Sequence, residues 1–190
     1  ITFDFEYIVP DTVEEAVDVF MDIQTRGKKP LYYSGGTEII TMGRVNNLKF
    51  DAVIDIKKIP ECNIHLAEDD KIMLGAALSL KELSLANHYP LLTLAISRIA
   101  DHTAQCKITL GGNVAGTVIY HESVLPLLLA DAEVLLAGPE GYRTVGLAGL
   151  YDPMLQLKAG ELIVQFSFKQ EIAKLPYSHA KHTEGEKIGY

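Results

Sequence analysis

"PLYYSGGTEIITMGRVNNLKFDAVIDI", Pro30 to Ile56, decides how this chain begins to fold. "PLYY" reads as a short strand, "SGGTE" as a turn, "IITMGR" as a short helical segment and "DAVIDI" as a second strand. Strand, glycine turn, helix and strand in that order make a βαβ-type unit that closes near residue 57. Gly35 and Gly36 carry no Cβ and reach positive φ, so the peptide N–H groups of the turn can close on an anion, with the Thr37 hydroxyl beside them. Phosphate suits such a strand-to-helix turn, because the first N–H groups of a helix have no partner within it. Tyr32 and Tyr33 precede the turn. Alternate strand residues point to opposite faces, so at most one of the two can flank an aromatic ligand there.

Upstream, "FDFEYIVP" alternates apolar and polar residues and predicts a short strand with one buried face, closed by Pro10. In "PDTVEEAVDVFMDIQTRG", Thr12 and Glu15 have capping-box spacing, and Val13, Ala16, Val17, Phe20 and Ile23 fall on one helical face. Gly27 is a natural stop.

Downstream the texture changes. "NIHLAE", a "DD" turn and "KIMLGAAL" predict a hairpin, followed by short helices from Ser79, where Glu82 again has capping-box spacing, and from Pro90. Further on come a helix "ESVLPLLLAD", a strand "EVLLA", a turn "GPEG", a strand "YRTVGL" and a late strand "ELIVQFSFK". No repeat or low-complexity linker interrupts them. The fold class is α+β, a small βαβ-like subdomain over residues 1–57 and a larger mixed one over 58–176, with a tail over 177–190.

A second glycine pair stands in "TLGGNVAGTVIYHES", Thr109 to Ser123, and has the same means as the first: two permissive glycines, a hydroxyl before them and the amide of Asn113 after. Either pair alone reads as a plain turn. Together they offer two backbone cradles for the halves of a diphosphate. Neither matches GxGxxG or GxxxxGK[ST], which weakens the Rossmann and P-loop readings.

Composition narrows the alternatives. The 190 residues are 48% hydrophobic and 22% charged, ordinary for a globular protein, and the net charge of −8 disfavours nucleic acid or an anionic membrane surface as the main partner. "VLPLLLADAEVLLA" is broken by Asp131 and Glu133 and is shorter than the roughly 20 residues of a spanning helix. With no secretion signal in view, the chain reads as cytoplasmic. Cys62 and Cys106 form no metal-binding cluster and read as two unpaired thiols. His102, His121, His179 and His182 lack ligand spacing, Ser34 and Ser123 lack a GxSxG setting, and "EEAVD" reads as a solvated helix face.

These segments resemble one family: the FAD-binding subunit or domain of the molybdenum hydroxylases, of the xanthine dehydrogenase and carbon monoxide dehydrogenase medium-subunit type. "FEYIVPDTVEEAVDVF" is similar to its opening strand and helix, "YYSGGTEII" to its Ala-Gly-Gly-Thr-Asp-Leu turn, and "TLGGNVAG" to its Thr-(Ile/Leu)-Gly-Gly-Asn signature. "DAVIDIKKIPE", "IMLGAALSLKEL" and "LLLADAEVLLAGPEGYRTV" follow in matching order, so the likeness covers nearly the whole chain.

The resemblance implies a two-subdomain FAD-binding fold in which Tyr32, Tyr33, Ser34, Gly35, Gly36, Thr37, Glu38 and Ile39 line FAD, with the backbone of Ser34 to Thr37 near its pyrophosphate. Thr109, Leu110, Gly111, Gly112 and Asn113 would form the opposing turn. Glu122 falls on the family's acidic residue for the sugar or ribityl hydroxyls, Ile163 would sit by the isoalloxazine, and Lys181 matches a lysine near the flavin ring. Three departures stand out. "TAQCKI" replaces the family's Gln-Ile-Arg-Asn-Arg-Gly, leaving Lys107 as the local positive charge, Glu122 replaces Asp, and the family's C-terminal domain is expected to be missing after Tyr190.

By this resemblance the chain is an oxidoreductase component, passing electrons from iron–sulfur clusters of a partner subunit through FAD to NAD or another acceptor, while a molybdopterin subunit hydroxylates the substrate. That accords with the lack of a nucleophile or acid–base pair, since the cofactor carries the redox chemistry. Two other readings stay open: a non-catalytic nucleotide-binding or regulatory module of the same fold, and an NAD-binding Rossmann dehydrogenase. The last predicts an uninterrupted parallel βαβ series, against which the apparent hairpin at residues 62–75 speaks.

Overall fold

The computed structural model describes residues 1–118, 120–152 and 154–181. The last nine residues of the predicted tail, including His182, lie outside the described residues. The chain runs β1 (Glu6–Ile8), α1 (Val13–Thr25), β2 (Pro30–Tyr33), α2 (Thr37–Arg44), β3 (Ala52–Asp55), β4 (His65–Glu68), β5 (Lys71–Gly75), α3 (Leu80–Ala86), α4 (Pro90–Ile96), α5 (His102–Gln105), α6 (Leu110–Ala115), α7 (Val124–Leu129), β6 (Glu133–Gly138), β7 (Gly141–Gly146), α8 (Leu147–Leu150) and β8 (Leu162–Lys169).

Among the described residues the strands form two sheets, one of order β1-β3-β2 and one of order β4-β5-β8-β6-β7. The first is parallel throughout, with Tyr33 opposite Asp55 at its C-terminal edge. Its middle strand β3 is buried at every position, as a parallel strand covered on both faces must be. The second sheet is antiparallel throughout. This ends the Rossmann reading, whose parallel series stops after three strands. Asp69 and Asp70, at φ 49° and 62°, both take the left-handed conformation that a tight hairpin turn between β4 and β5 requires.

Helix α1 lies between the sheets, touching β2 and β3 on one side and β6 on the other. Its buried face is Val13, Ala16, Val17 and Ile23, and half-buried Phe20 stacks on Tyr32 with ring centroids 4.7 Å apart. Thr12 Oγ1 accepts from Glu15 N, but the Glu15 carboxylate reaches past Thr12 to accept from Asp11 N at 2.8 Å. The predicted capping box is therefore half formed. At Ser79 and Glu82 it is complete.

The middle strand of the second sheet, β8, is buried on both faces. Ile72, Leu74, Val134, Leu136, Phe166 and Phe168 face a core shared with α3, α4, α6 and α7. Ala77, Ala137, Leu162 and Val164 face the other way and complete the core around α1 and β3. The first sheet ends at Asp55 and the second begins at His65, with 3-10 turns at Ile56–Lys58 and Pro60–Asn63 between them.

Three expectations need correction. The strand predicted over "FDFEYIVP" shrinks to Glu6–Ile8. Helices α5 and α8 were not anticipated, each being a single turn too short for a periodic signal. The second glycine pair is not a turn like the first, since Gly111 and Gly112 lie inside α6 with ordinary negative φ.

Candidate functional site

The first glycine turn leaves the C-terminal edge of the parallel sheet. Gly36 caps α2 in the left-handed conformation at φ 68°, and a Cβ there would lie 2.3 Å from the Tyr33 ring. A Cβ on Gly35 would lie 2.0 Å from the Lys107 carbonyl oxygen and 3.2 Å from Thr109 N. The two glycine segments, remote in sequence, are in backbone contact. The following residues Thr37, Glu38 and Ile39 form the first turn of α2, whose leading N–H groups have no acceptor within the helix.

Tyr32 and Tyr33 diverge as strand alternation requires. Tyr32 turns to the core, stacking on Phe20 and donating its hydroxyl to the Gly160 carbonyl at 2.9 Å. Tyr33 turns to the cleft.

Thr109 caps α6, its hydroxyl accepting from Gly112 N at 3.3 Å. A Cβ on Gly111 would lie 2.8 Å from the Ala76 Cβ. Glycine is needed here for close approach, not for positive φ, which is why the pair fits in a helix. Gly111 N and Leu110 N donate to the carbonyls of Ala76 and Leu78, and the Leu110 side chain is fully buried, so neither that side chain nor those two N–H groups are open to a ligand.

The Asn113 amide is committed to its own loop. Nδ2 donates to Tyr120 O, while Oδ1 accepts from the backbone and hydroxyl of Ser123. Asn113 thereby shapes the segment that presents Glu122. Glu122 Oε1 accepts from Lys181 Nζ at 2.9 Å, and Lys181 also donates to Arg98 O. Two residues expected against different parts of one ligand thus hold each other. Glu38 bridges the halves of the site, its carboxylate accepting from Thr117 N at 2.9 and 3.0 Å and from the Thr117 hydroxyl. Ile163 is a correction: it is 6% exposed, pairs with Leu136 in the second sheet and packs in the helix-side core, with no face open to the cleft.

A cleft of about 330 Å³ opens beside the first turn. Tyr33, Ser34 and Gly35 form one wall and Cys106, Lys107 and Thr109 another, with Lys57, Asn63, Ala77, Ser79 and Glu82 completing it. Two cations, Lys57 and Lys107, line it. The one carboxylate there, Glu82, is held by Ser79 in the α3 cap.

Sequence reading missed the group beneath the turn. Asp55, 3% exposed, accepts from the Tyr7 hydroxyl, from Lys57 Nζ at 2.5 Å and from Lys57 N at 3.0 Å. Its hydrogen bond, with burial and charge, pushes the Tyr7 phenol up to about 12. Burial, then the same carboxylate, raises Tyr33. Among the described residues no group of three or more His, Cys, Asp or Glu could hold a metal ion, and no helix is long and apolar enough to cross a membrane.

The profile of a family described as the FAD binding domain in molybdopterin dehydrogenase matches residues 3–168. The xanthine dehydrogenase FAD-binding subunit of Escherichia coli O157:H7 is 26% identical over 190 residues, covering 94% of this chain and 64% of the relative. The nicotinate dehydrogenase FAD-subunit of Eubacterium barkeri is 28% identical over 153 residues, 78% of this chain and 51% of the relative. A solved carbon monoxide dehydrogenase from Hydrogenophaga pseudoflava, which lacks the Mo-pyranopterin moiety of its cofactor, superposes with a TM-score of 0.81 at 26% identity, covering 89% of this chain and 60% of that one. The chain thus spans less than two thirds of the length of each of these relatives.

Proposed function

This chain belongs to the family of FAD-binding domains of molybdopterin dehydrogenases, and from that premise we propose that it is the flavin-carrying electron-transfer component of a hetero-oligomeric oxidoreductase. It takes electrons from an iron–sulfur subunit and hands them to NAD or another acceptor, while a molybdopterin subunit acts on the substrate in the cytoplasm. The division of the chain at residues 57 and 58 then separates the two walls of the cofactor site.

The residues present fit FAD. Among the described residues, Ser34 Oγ and Glu122 Oε2 are buried polar atoms without a hydrogen-bond partner, one in the first glycine turn and one in the loop that follows the second glycine pair. Such atoms are costly unless something satisfies them, and the hydroxyls of a ribityl or ribose chain are suitable donors. The backbone of Ser34 to Thr37, free of side chains at Gly35 and Gly36, suits a diphosphate, with Lys107 supplying positive charge nearby. Bound FAD supplies one- and two-electron redox chemistry. The protein binds and orients it: Gly111 keeps the second wall close, Asn113 holds the loop bearing Glu122, and Lys181 fixes Glu122 through their ion pair.

The observation that carries this reading is the backbone contact of Gly35 with the Lys107–Thr109 segment, which brings the two glycine motifs, remote in sequence, side by side. An absorption spectrum of the purified protein tests it. Flavin bands that survive desalting are expected, and a protein that stays colourless after incubation with FAD overturns the proposal. Anaerobic addition of NADH, or of a reduced iron–sulfur partner subunit, then separates an electron-transfer component, whose flavin bleaches with one of them, from a binding module, whose flavin bleaches with neither.

A further inference from the structure

Lys57 follows a buried aspartate at the end of β3, in a stretch, "DIKK", that has nothing in its sequence to mark it as part of a site. Topology brings it there. Tyr33 and Asp55 are in register at the C-terminal edge of the parallel sheet, so the residue after each strand leaves from the same edge. The chain turns at once after β3 into a 3-10 turn, capped by Asp55 accepting from Lys57 N, which carries the Lys57 side chain back over the neighbouring turn.

There the ammonium makes three contacts. It donates to Asp55 Oδ2 at 2.5 Å, donates to the Ser34 carbonyl at 3.2 Å, and lies 4.6 Å from the centroid of the Tyr33 ring. The ring's edge in turn lies against Gly36, where a Cβ would come within 2.3 Å. Asp55 is fixed from its other side by the Tyr7 hydroxyl. Lys57 therefore grips the first glycine turn at its leading carbonyl and, through Tyr33, at its left-handed residue.

A trans peptide is planar, with N–H opposed to C=O. Holding the Ser34 carbonyl toward the ammonium turns the Gly35 N–H to the opposite side. Glycine turns flip easily because nothing steric prevents it. A flipped Ser34–Gly35 peptide would present a carbonyl where an anion needs a donor. We propose that Lys57, seated on the Tyr7–Asp55 pair, is a positioning residue that locks the Ser34–Gly35 peptide in its diphosphate-binding orientation. This rests on the reading that the turn receives the diphosphate of FAD.

The test compares wild type with K57M, K57R and D55N by titration with FAD, ADP and riboflavin, and by the Gly35 amide resonance of glycine-labelled protein. In K57M the Gly35 resonance moves, FAD and ADP bind about tenfold more weakly, as loss of a charge-assisted hydrogen bond implies, and riboflavin, which has no phosphate, stays within about twofold. K57R restores both readouts. D55N weakens FAD in the same direction although its buried side chain cannot reach a ligand. Tighter FAD binding by D55N would instead make Lys57 a direct counter-charge and overturn the positioning role. An unmoved Gly35 resonance in K57M overturns it as well. If wild type binds no FAD, the proposed function fails, and the Gly35 resonance alone still decides whether Lys57 orients the turn.

Discussion

Gly35 is the residue on which the two halves of the site meet. With the Lys107 carbonyl oxygen 2.0 Å from where its Cβ would stand, G35A must push two backbone segments apart, and backbone gives way less readily than a side chain. We expect G35A to lose retained flavin and to lower stability by about 2 kcal/mol in urea titrations. Gly149 is the control. It lies in α8 with ordinary φ and nothing within 4 Å of a Cβ, so G149A should be neutral or stabilising by up to about 1 kcal/mol. Sequence could mark Gly35 only in company with the second glycine pair, since either pair alone reads as a plain turn. It could not mark Asp55 or Lys57. An aspartate ending a strand followed by two lysines is what a solvated strand end also looks like, and only the register of β2 on β3 sets it beneath the turn. Ile163 failed in the reverse way: its place in the late strand was read correctly, but whether a strand residue faces a cleft or a core depends on what covers that face.

Helix caps show how far local sequence reaches. Ser79 and Glu82 form both hydrogen bonds of the box, and Ser79 also bridges to Thr109, so this cap ties α3 to the start of α6. S79A should cost about 1 to 2 kcal/mol, read as a lower urea midpoint at unchanged slope. The box was legible because both of its bonds are local. The same spacing at Thr12 and Glu15 was legible only in part, since the Glu15 carboxylate had a choice of two backbone donors and took Asp11 N. At α6 the reading went astray for an energetic reason. Each glycine in a helix costs about 1 kcal/mol relative to alanine, which makes "TLGGN" look like a turn. The Thr109 cap and the close passage of Gly111 over Ala76 offset that cost, and the second of these is a tertiary contact invisible in the segment itself.

At the scale of the whole molecule, apolar runs bounded by turn signals marked the strands but not their neighbours or, in β8, which core each residue enters, because a register shift against β6 sets Leu162 and Val164 on one side and Phe166 and Phe168 on the other. β8 enters between β5 and β6, and nothing in its sequence names those partners. The consequence is mechanical unity: β8 sends Phe166 and Phe168 into one core and Leu162 and Val164 into the other, while Tyr32 to Gly160 and Tyr142 to Glu14 tie the first unit to the second. Unfolding should therefore be a single transition, with tyrosine fluorescence and far-ultraviolet dichroism coincident in urea, and separate midpoints would mean that the cores melt independently. The shared strand also has an acid-sensitive entry. Glu161, just before β8, accepts from Arg143 Nε at 2.5 Å and Nη2 at 2.8 Å and from Lys158 N at 2.7 Å. The guanidinium hydrogen bond holds its carboxyl below the ordinary value of 4.5 despite its burial. A carboxylate with a lowered folded value stabilises the protein above its unfolded value, and that stabilisation disappears as pH falls through the folded one. The urea midpoint should thus drop between about pH 5 and pH 3, more steeply in wild type than in R143M. At neutral pH, R143M should already be less stable by about 2 kcal/mol, less than for a fully buried pair because the Arg143 side chain is 32% exposed. Equal acid slopes for the two proteins would show that the pair contributes nothing to acid unfolding.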